Sequence, residues 1–477
     1  MATTRERRVE DLTGVYVAGG MSRRVFIGRL LALGLSTSAA GAILAACSTT
    51  ATQAPATATQ AAPPGSAAPA TVGPASSAVA SGFATGLKGN IRFLIGPWTD
   101  QEVQHHQVIQ AAFNQLNPDV TFTYKLFDWA TGAVEITNSL ASGSHDIFYI
   151  EDHDWIAFAD RLEDLTPRVN DPAWASEKAK YLYWDRLATY GGKIVGMPNN
   201  WAVVDMLYTN MDMVRAAGFD EKFVDTWDSL VACCTKMTKG TDTYGLGVGI
   251  QLGPTFGEWY EWLRGAGGSF LTPNQKATNI NLPAVVDITK RIADLYKQGV
   301  APAIGTYNYD TGPDAFVAGK IATYSSDMAP APGIQGKKPA FDWKLLPYPP
   351  GSATRQNMFS IIGTYAMSPK TPDKDLAWEV LKFWTSAANN AYWTDVSGPY
   401  PARADALQAG YGKTAAPQLA AAFTTMQADA MGAEPFAKWG DCETAAEQQI
   451  GDVWTGKVSA QEGVANVEAA VKKIVFG

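Results

Sequence analysis

Three short segments of this chain interleave aromatic rings with carboxylates: Gly96-Pro97-Trp98 supplies a ring, and Asp128-Trp129 and Glu151-Asp152-His153-Asp154-Trp155 supply both. A carboxylate accepts several hydrogen bonds, and an indole offers a flat apolar face. Side by side they suit a ligand with apolar C–H faces and a rim of hydroxyls, which is the description of a sugar. Two other chemistries draw on the same residue types. Paired carboxylates can hydrolyse a glycosidic bond, and carboxylates beside His153 are metal donors. Consecutive loop residues seldom converge on one ion, so solvated acids and helix caps explain that run better and no metal is expected. The chain has no nucleophile elbow, no His-Glu-x-x-His run and no phosphate loop, so neither catalysis nor a cofactor is expected.

The three segments follow what read as strands. Ile91 to Ile95 is a short apolar run suited to a buried strand, Val120, Phe122 and Tyr124 alternate, and Asp146 to Ile150 is a third apolar stretch. Between the first two, Val103, Ile109, Ala112, Phe113 and Leu116 recur at helical spacing after Thr99 and Glu102, a capping-box pair; Asn117-Pro118 ends that helix. Strand alternating with helix is the rhythm of an open parallel α/β sheet, whose ligands bind at the carboxyl ends of the strands. His105 and His106 lie within the first helix and are expected to face water, and Glu258 and Glu261 to solvate another helix face.

Composition narrows the class. The first 47 residues hold six arginines against three acidic side chains, so the net charge of −8 for the whole chain becomes −11 beyond them. A nucleic-acid partner is therefore not expected. Ser22-Arg23-Arg24-Val25-Phe26-Ile27 and the apolar stretch after it resemble a twin-arginine export signal, and Leu44-Ala45-Ala46-Cys47 resembles the lipobox of bacterial lipoproteins. The stretch is too short and too rich in small residues for a membrane span. Cys47 would carry the lipid as the first residue of the mature protein, with Met1 or Met21 as the start of translation. From Ser48 to about Lys88 the chain is nearly all Ala, Thr, Pro, Ser, Gln and Gly, a composition that cannot offset its ordering entropy, and a disordered spacer is expected. The remaining cysteines, Cys233, Cys234 and Cys442, fit no zinc or redox spacing. Cys233 and Cys234 read as small buried residues of a helix after Thr226, and a bond from one of them to Cys442 stays open.

Further along, an ordered set of motifs appears: Gly192-Lys193-Ile194-Val195-Gly196-Met197-Pro198, Leu207-Tyr208-Thr209-Asn210-Met211-Asp212, Ala217-Gly218-Phe219, Thr226-Trp227-Asp228-Ser229-Leu230, Phe316-Val317-Ala318-Gly319-Lys320-Ile321-Ala322, Pro347-Tyr348-Pro349, Ala377-Trp378-Glu379, Ser397-Gly398-Pro399-Tyr400-Pro401-Ala402-Arg403 and Gly456-Lys457-Val458-Ser459. From about Asn90 to the end this order resembles the extracellular solute-binding proteins of family 1, the sugar-type receptors of ABC importers. Thr209 and Ser325-Ser326-Asp327 depart from the family pattern, the second near the ligand site. The resemblance implies a two-lobe α/β fold of the type II periplasmic-binding-protein kind, with residues 1–47 a signal peptide, 48–88 a linker, 89–202 plus 364–409 the first lobe and 203–363 plus 410–477 the second.

The expected site is the cleft between the lobes, with Trp98, Asp128, Trp129, Glu151, Asp152 and Trp201 on the first lobe and Thr255, Phe256, Trp259, Asp327 and Trp439 on the second. The chain has 15 Trp, 18 Tyr and 19 Phe, so a single Trp is more often packing than ligand contact. The function implied is a monomeric receptor, lipid-anchored outside the cytoplasm, that captures a mono- or oligosaccharide by hinge closure and passes it to the transmembrane subunits of an ABC permease. A secreted carbohydrate-active enzyme and a sensory binding subunit are the alternatives. Turnover would mark the first, and genes for two permease subunits beside this one would favour import over sensing.

Overall fold

A computed structural model describes residues 82–97, 101–128, 131–151, 156–182, 184, 188–204, 206–248, 258–307, 311–350, 358–409, 417–419, 421–422, 430–431, 434 and 436–477; at 200–204, 248, 358–362, 407–409 and 430–431 only the backbone is described. The expected signal peptide and Cys47 lie outside these residues, as does the spacer up to residue 81.

The chain opens with β1 (Lys88–Ile95), α1 (Glu102–Leu116), β2 (Asp119–Leu126), α2 (Gly132–Ser142) and β3 (Ile147–Glu151). β4 (Met197–Val204) leads into β5 (Met206–Asn210), followed by α3 (Trp227–Met237), β6 (Tyr244–Val248), α4 (Glu258–Gly265), α5 (Pro283–Lys297), β7 (Ile321–Ser326), α6 (Pro330–Gly336) and β8 (Trp343–Leu346). The last part comprises β9 (Met358–Met367), α7 (Lys374–Trp384), α8 (Ala387–Ser397), β10 (Tyr400–Pro401), β11 (Ala430–Met431), α9 (Trp439–Trp454) and α10 (Ala460–Phe476).

Two sheets result. The first runs β10-β4-β9-β3-β1-β2, with β11 beside β9; the second runs β8-β5-β7-β6. β1 lies parallel to β2 and β3, in register Ile91↔Phe122 and Phe93↔Ile147. That arrangement follows from the connections, since α1 and α2 are crossover helices that return the chain to the same end of the sheet before each new strand begins. β3 is apolar from Ile147 to Ile150 and buried on both faces through Glu151, as a strand covered on each side by helices must be.

Three expectations meet corrections here. β9 pairs with β3 and β4 from Ser360 to Met367, so the 363/364 lobe boundary would cut a continuous first-sheet strand, and β11, assigned in advance to the second lobe, adds to that sheet too. The spacer does not extend to Lys88. Phe83 meets Phe383 edge-on at 5.0 Å, Asn117 accepts from Leu87 N at 2.9 Å, and its amide donates to Ala84 O at 3.1 Å. Two large apolar residues, Phe83 and Leu87, are enough to dock this segment on the first lobe. Thirdly, α1 begins at Glu102 with Gln101 as its N-cap, later than a Thr99 cap would start it.

The core divides between an assembly of β1, β3, α1, α7 and α8 that also takes in Tyr208, Phe316 and Tyr324 of the second sheet, and one built on α3, α4, α5, α9 and α10. Cys233, Cys234 and Cys442 are buried free thiols of the latter. Burial pushes all three up to about 12, which leaves them as inert thiols at neutral pH.

Candidate functional site

β1 and β3 run parallel, so Gly96-Pro97 and Glu151 emerge at the same end of the first sheet. Glu151, the last residue of β3, is only 6 % exposed. It stands opposite Gly363 of β9, which in turn faces Asn200 of β4. Glu151 and the Asn199–Asn200 backbone are therefore two strand spacings apart, about 10 Å. Asn199 is held by the helix beside it, its carbonyl accepting from Asn390 Nδ2 at 2.6 Å.

A slot of about 10 Å³, room for one water-sized group, opens at this level and is lined by Glu102, Tyr149, Asn199, Tyr365, Trp393 and the Ser397–Pro399 turn. Three rings, an amide and a carboxylate thus surround one oxygen-sized space. Most of this wall was not foreseen. Glu102 looked like half of a capping box, yet its side chain is buried on the slot wall. Trp393 belongs to α8, hundreds of residues from β1, and only the Ser397-Gly398-Pro399 motif hinted that this turn was special.

His106, one turn beyond Glu102, is fully buried rather than facing water. The indole Nε1–H of Trp384 donates to its Nδ1 at 3.0 Å, and its Nε2 lies 3.6 Å from Glu102 Oε1. Its ring meets Trp393 at 4.8 Å and Tyr124 at 5.4 Å. His105 is partly buried, 3.2 Å from the Tyr392 hydroxyl, and burial lowers its pKa against the opposing pull of Glu102.

On the second lobe, Asp327 follows β7 and is buried; its carboxylate accepts from Ala329 N at 2.9 Å and its carbonyl from the Tyr208 hydroxyl at 2.7 Å. Beside it, Ser325 hydrogen-bonds the Tyr348 hydroxyl. Trp259 and Trp439 are corrections. Trp259 is 1 % exposed and donates its indole N–H to Thr289 Oγ1 at 3.0 Å, and Trp439 is 0 % exposed against Tyr260 and Phe270. Both fill the core of the second lobe, because the apolar faces of α4 and α9 turn toward α5 and the loop at 269–271. Glu258 and Glu261 are buried on α4 as well, and do not solvate a helix face. Asp128 is exposed at the end of β2, its carbonyl accepting from Thr131 N at 2.9 Å. Trp98, Trp129, Asp152, Thr255 and Phe256 lie outside the described residues, as does the side chain of Trp201. Among the described residues no cluster of His, Cys, Asp and Glu could hold a metal ion.

Beyond the Ser397–Pro399 turn, Arg403 stacks 4.6 Å over Tyr181 and binds both oxygens of Asp405 at 2.9 and 2.8 Å and Glu177 at 2.9 Å. Burial would raise the carboxyls of Asp405 and Glu177, but hydrogen bonds and charge from Arg403, with Lys180 also acting on Glu177, hold both below their ordinary 3.8 and 4.5. A depressed folded-state pKa gives stability that is present above the unfolded value and lost as pH falls through the folded one. The gap in urea midpoint between wild type and Arg403→Gln is therefore expected to narrow from pH 6 to pH 3. An unchanged gap would count against the cluster.

The profile of the bacterial extracellular solute-binding protein family matches residues 99–391, well over half of the chain and across both sheets. The chain belongs to this family. As a family member it is extracytoplasmic, and its two-lobe α/β fold is shared with solved solute-binding proteins. T. maritima MalE3 bound to maltose superimposes with a TM-score of 0.70 at 19 % identity, covering 80 % of this chain and 99 % of that one. UgpB of Mycobacterium tuberculosis in complex with glycerophosphocholine also scores 0.70, at 15 % identity over 82 % of this chain and 99 % of its own. A Brucella abortus sequence described as a binding protein is 20 % identical over 395 residues, 81 % of this chain and 94 % of that relative. Among the described residues of this family member, no helix is long and apolar enough to cross a membrane.

Proposed function

We propose that the protein is a lipid-tethered receptor that captures a carbohydrate between its lobes and delivers it to an ABC permease, without chemical change to the ligand. The observation that carries this reading is the slot at the strand ends: a hydroxyl-sized space walled by Tyr149, Tyr365, Trp393, Asn199 and Glu102, with the buried Glu151 two residues beyond Tyr149 on β3. Rings supply apolar platforms, and carboxylates and amides take up hydroxyl hydrogens. A receptor needs only that the ligand favour the closed state over the open one. Trp98, Asp128, Trp129, Asp152, Trp201, Thr255, Phe256 and Asp327 remain proposed parts of the cleft on sequence grounds.

A thermal-shift panel of maltose, D-tagatose, acarbose, cycloalternan and glycerophosphocholine tests the reading. A ligand at ~100 times its Kd adds ~2.7 kcal/mol to the folded state, a shift that is easily measured. The sugars are expected to raise the melting temperature and to be recovered intact; turnover would favour the enzyme alternative. A response to glycerophosphocholine alone would reassign the ligand class. For the sugar that binds, Glu151→Gln is expected to weaken affinity roughly 5- to 150-fold, about 1 to 3 kcal/mol, with folding preserved. Calorimetry giving wild-type affinity would remove Glu151 from the site.

The tether rests on the sequence: a thiol at Cys47 ends the lipobox, and acyl chains there would hold the receptor at the membrane. Cys47→Ser is expected to move the protein from the membrane fraction into soluble or unprocessed material. Intact mass showing an unmodified Cys47 on membrane-bound protein would refute anchoring at that residue.

A further inference from the structure

We infer that Trp384, His106 and Glu102 form a one-directional polar relay whose cleft-facing end is a hydrogen-bond acceptor, so that this corner of the site selects a ligand hydroxyl or ammonium donor and turns away phosphate and carboxylate oxyanions. The inference rests on the slot being the ligand site.

Direction enters at the buried end. An indole N–H can only donate, and Trp384 Nε1 lies 3.0 Å from His106 Nδ1 with both residues buried. His106 Nδ1 must therefore present its lone pair, which leaves the ring hydrogen on Nε2. Nε2 has no hydrogen-bond partner among the described residues. It points toward Glu102, whose Oε1 is 3.6 Å away, beyond hydrogen-bond length but close enough to fix the carboxylate by charge and dipole.

The ring has little freedom to turn over. Phe93, Tyr124, Tyr365 and Trp393 surround it at centroid distances of 5.6, 5.4, 6.2 and 4.8 Å. The titratable groups about it are Glu102 and His105 on its own helix, Tyr124 on β2 and Tyr365 on β9. Burial pushes both tyrosines far above their ordinary range, so neither brings a negative charge to the relay. A donor at one end and an oriented ring in the middle leave a carboxylate at the other. A carboxylate on the wall of a one-oxygen slot accepts, and a ligand oxyanion placed against Glu102 would meet like charge.

Two measurements test the relay. In histidine-labelled protein without ligand, ¹⁵N NMR at pH 8 is expected to show His106 as the Nε2–H tautomer and Trp384→Phe to yield a mixture; a dominant Nδ1–H form in the wild type would overturn the relay. In the thermal-shift assay, D-glucose and maltose are expected to stabilise the wild type where D-glucose 6-phosphate and D-glucuronate do not. Glu102→Gln should weaken the neutral sugar at least tenfold and narrow that discrimination. His106→Asn keeps an acceptor for Trp384 but removes the Nε2–H, and is expected to lose affinity three- to tenfold with unchanged circular dichroism. Equal binding of the anionic sugars, or wild-type affinity in both variants, would overturn the selectivity. If no sugar of either kind binds, the carbohydrate reading falls and the tautomer alone decides the relay.

Discussion

Asp146→Ala is expected to lose about 3 kcal/mol of stability, toward the low end of what breaking a buried ion pair costs because Arg92 keeps some contact with water. Asp146 is 1 % exposed. Its Oδ2 accepts from Arg92 N and Nε, each at 2.9 Å, and its Oδ1 from Arg92 Nη2 at 2.8 Å. Its own backbone N donates to Arg92 O at 2.8 Å, and its carbonyl takes Ser368 N at 2.9 Å. One residue thus joins β1, β3 and the end of β9, and sets the register that carries Glu151 to the cleft. Truncation leaves a guanidinium and a backbone N–H without their acceptor. Urea denaturation should show the loss, with Asp146→Asn intermediate because it keeps an acceptor but no charge. A midpoint within error of wild type would mean that the ladder alone fixes these strands.

Gly398→Ala is expected to cost about 2 to 4 kcal/mol and to weaken ligand binding. Gly398 ends α8 with φ +86°, a conformation that costs an L-residue about 1 to 2 kcal/mol. A Cβ there would also meet Met328 O at 2.6 Å and Ala329 Cα at 3.0 Å, backbone atoms that follow β7 of the second sheet. Overpacking of that kind typically adds 1 to 3 kcal/mol. The two strains fall where the lobes touch, beside Ser397 and Pro399 of the slot, so relief by a small shift would open the seam. Melting temperature and affinity for the stabilising sugar should fall together. Gly398→Asn separates the terms, because Asn tolerates the left-handed conformation but keeps the Cβ. Normal melting in the alanine variant would show that the seam has slack.

What the sequence determined by itself is local or ordered along the chain. Period-two and period-3.6 patterns are properties of neighbouring residues, so Ile91 to Ile95, Val120 to Tyr124 and Asp146 to Ile150 declared their strands, and the strand order placed Glu151 at a carboxyl end. The ordered motifs from Gly192 to Ser459 marked the family without any structure. Tertiary structure decided which face each helix turns inward, because a helix with polar and aromatic residues on several sides has no inside until a partner packs on it. His106 and Glu102 went inward because Trp384 and Trp393 arrive from α7 and α8. Trp259 and Trp439 went into the core because α5 and the loop at 269–271 cover them, although their composition suited a sugar site equally well. β9 returned to the first sheet because the unpaired edges of β3 and β4 had to be completed, a demand of hydrogen bonding that no window of sequence contains.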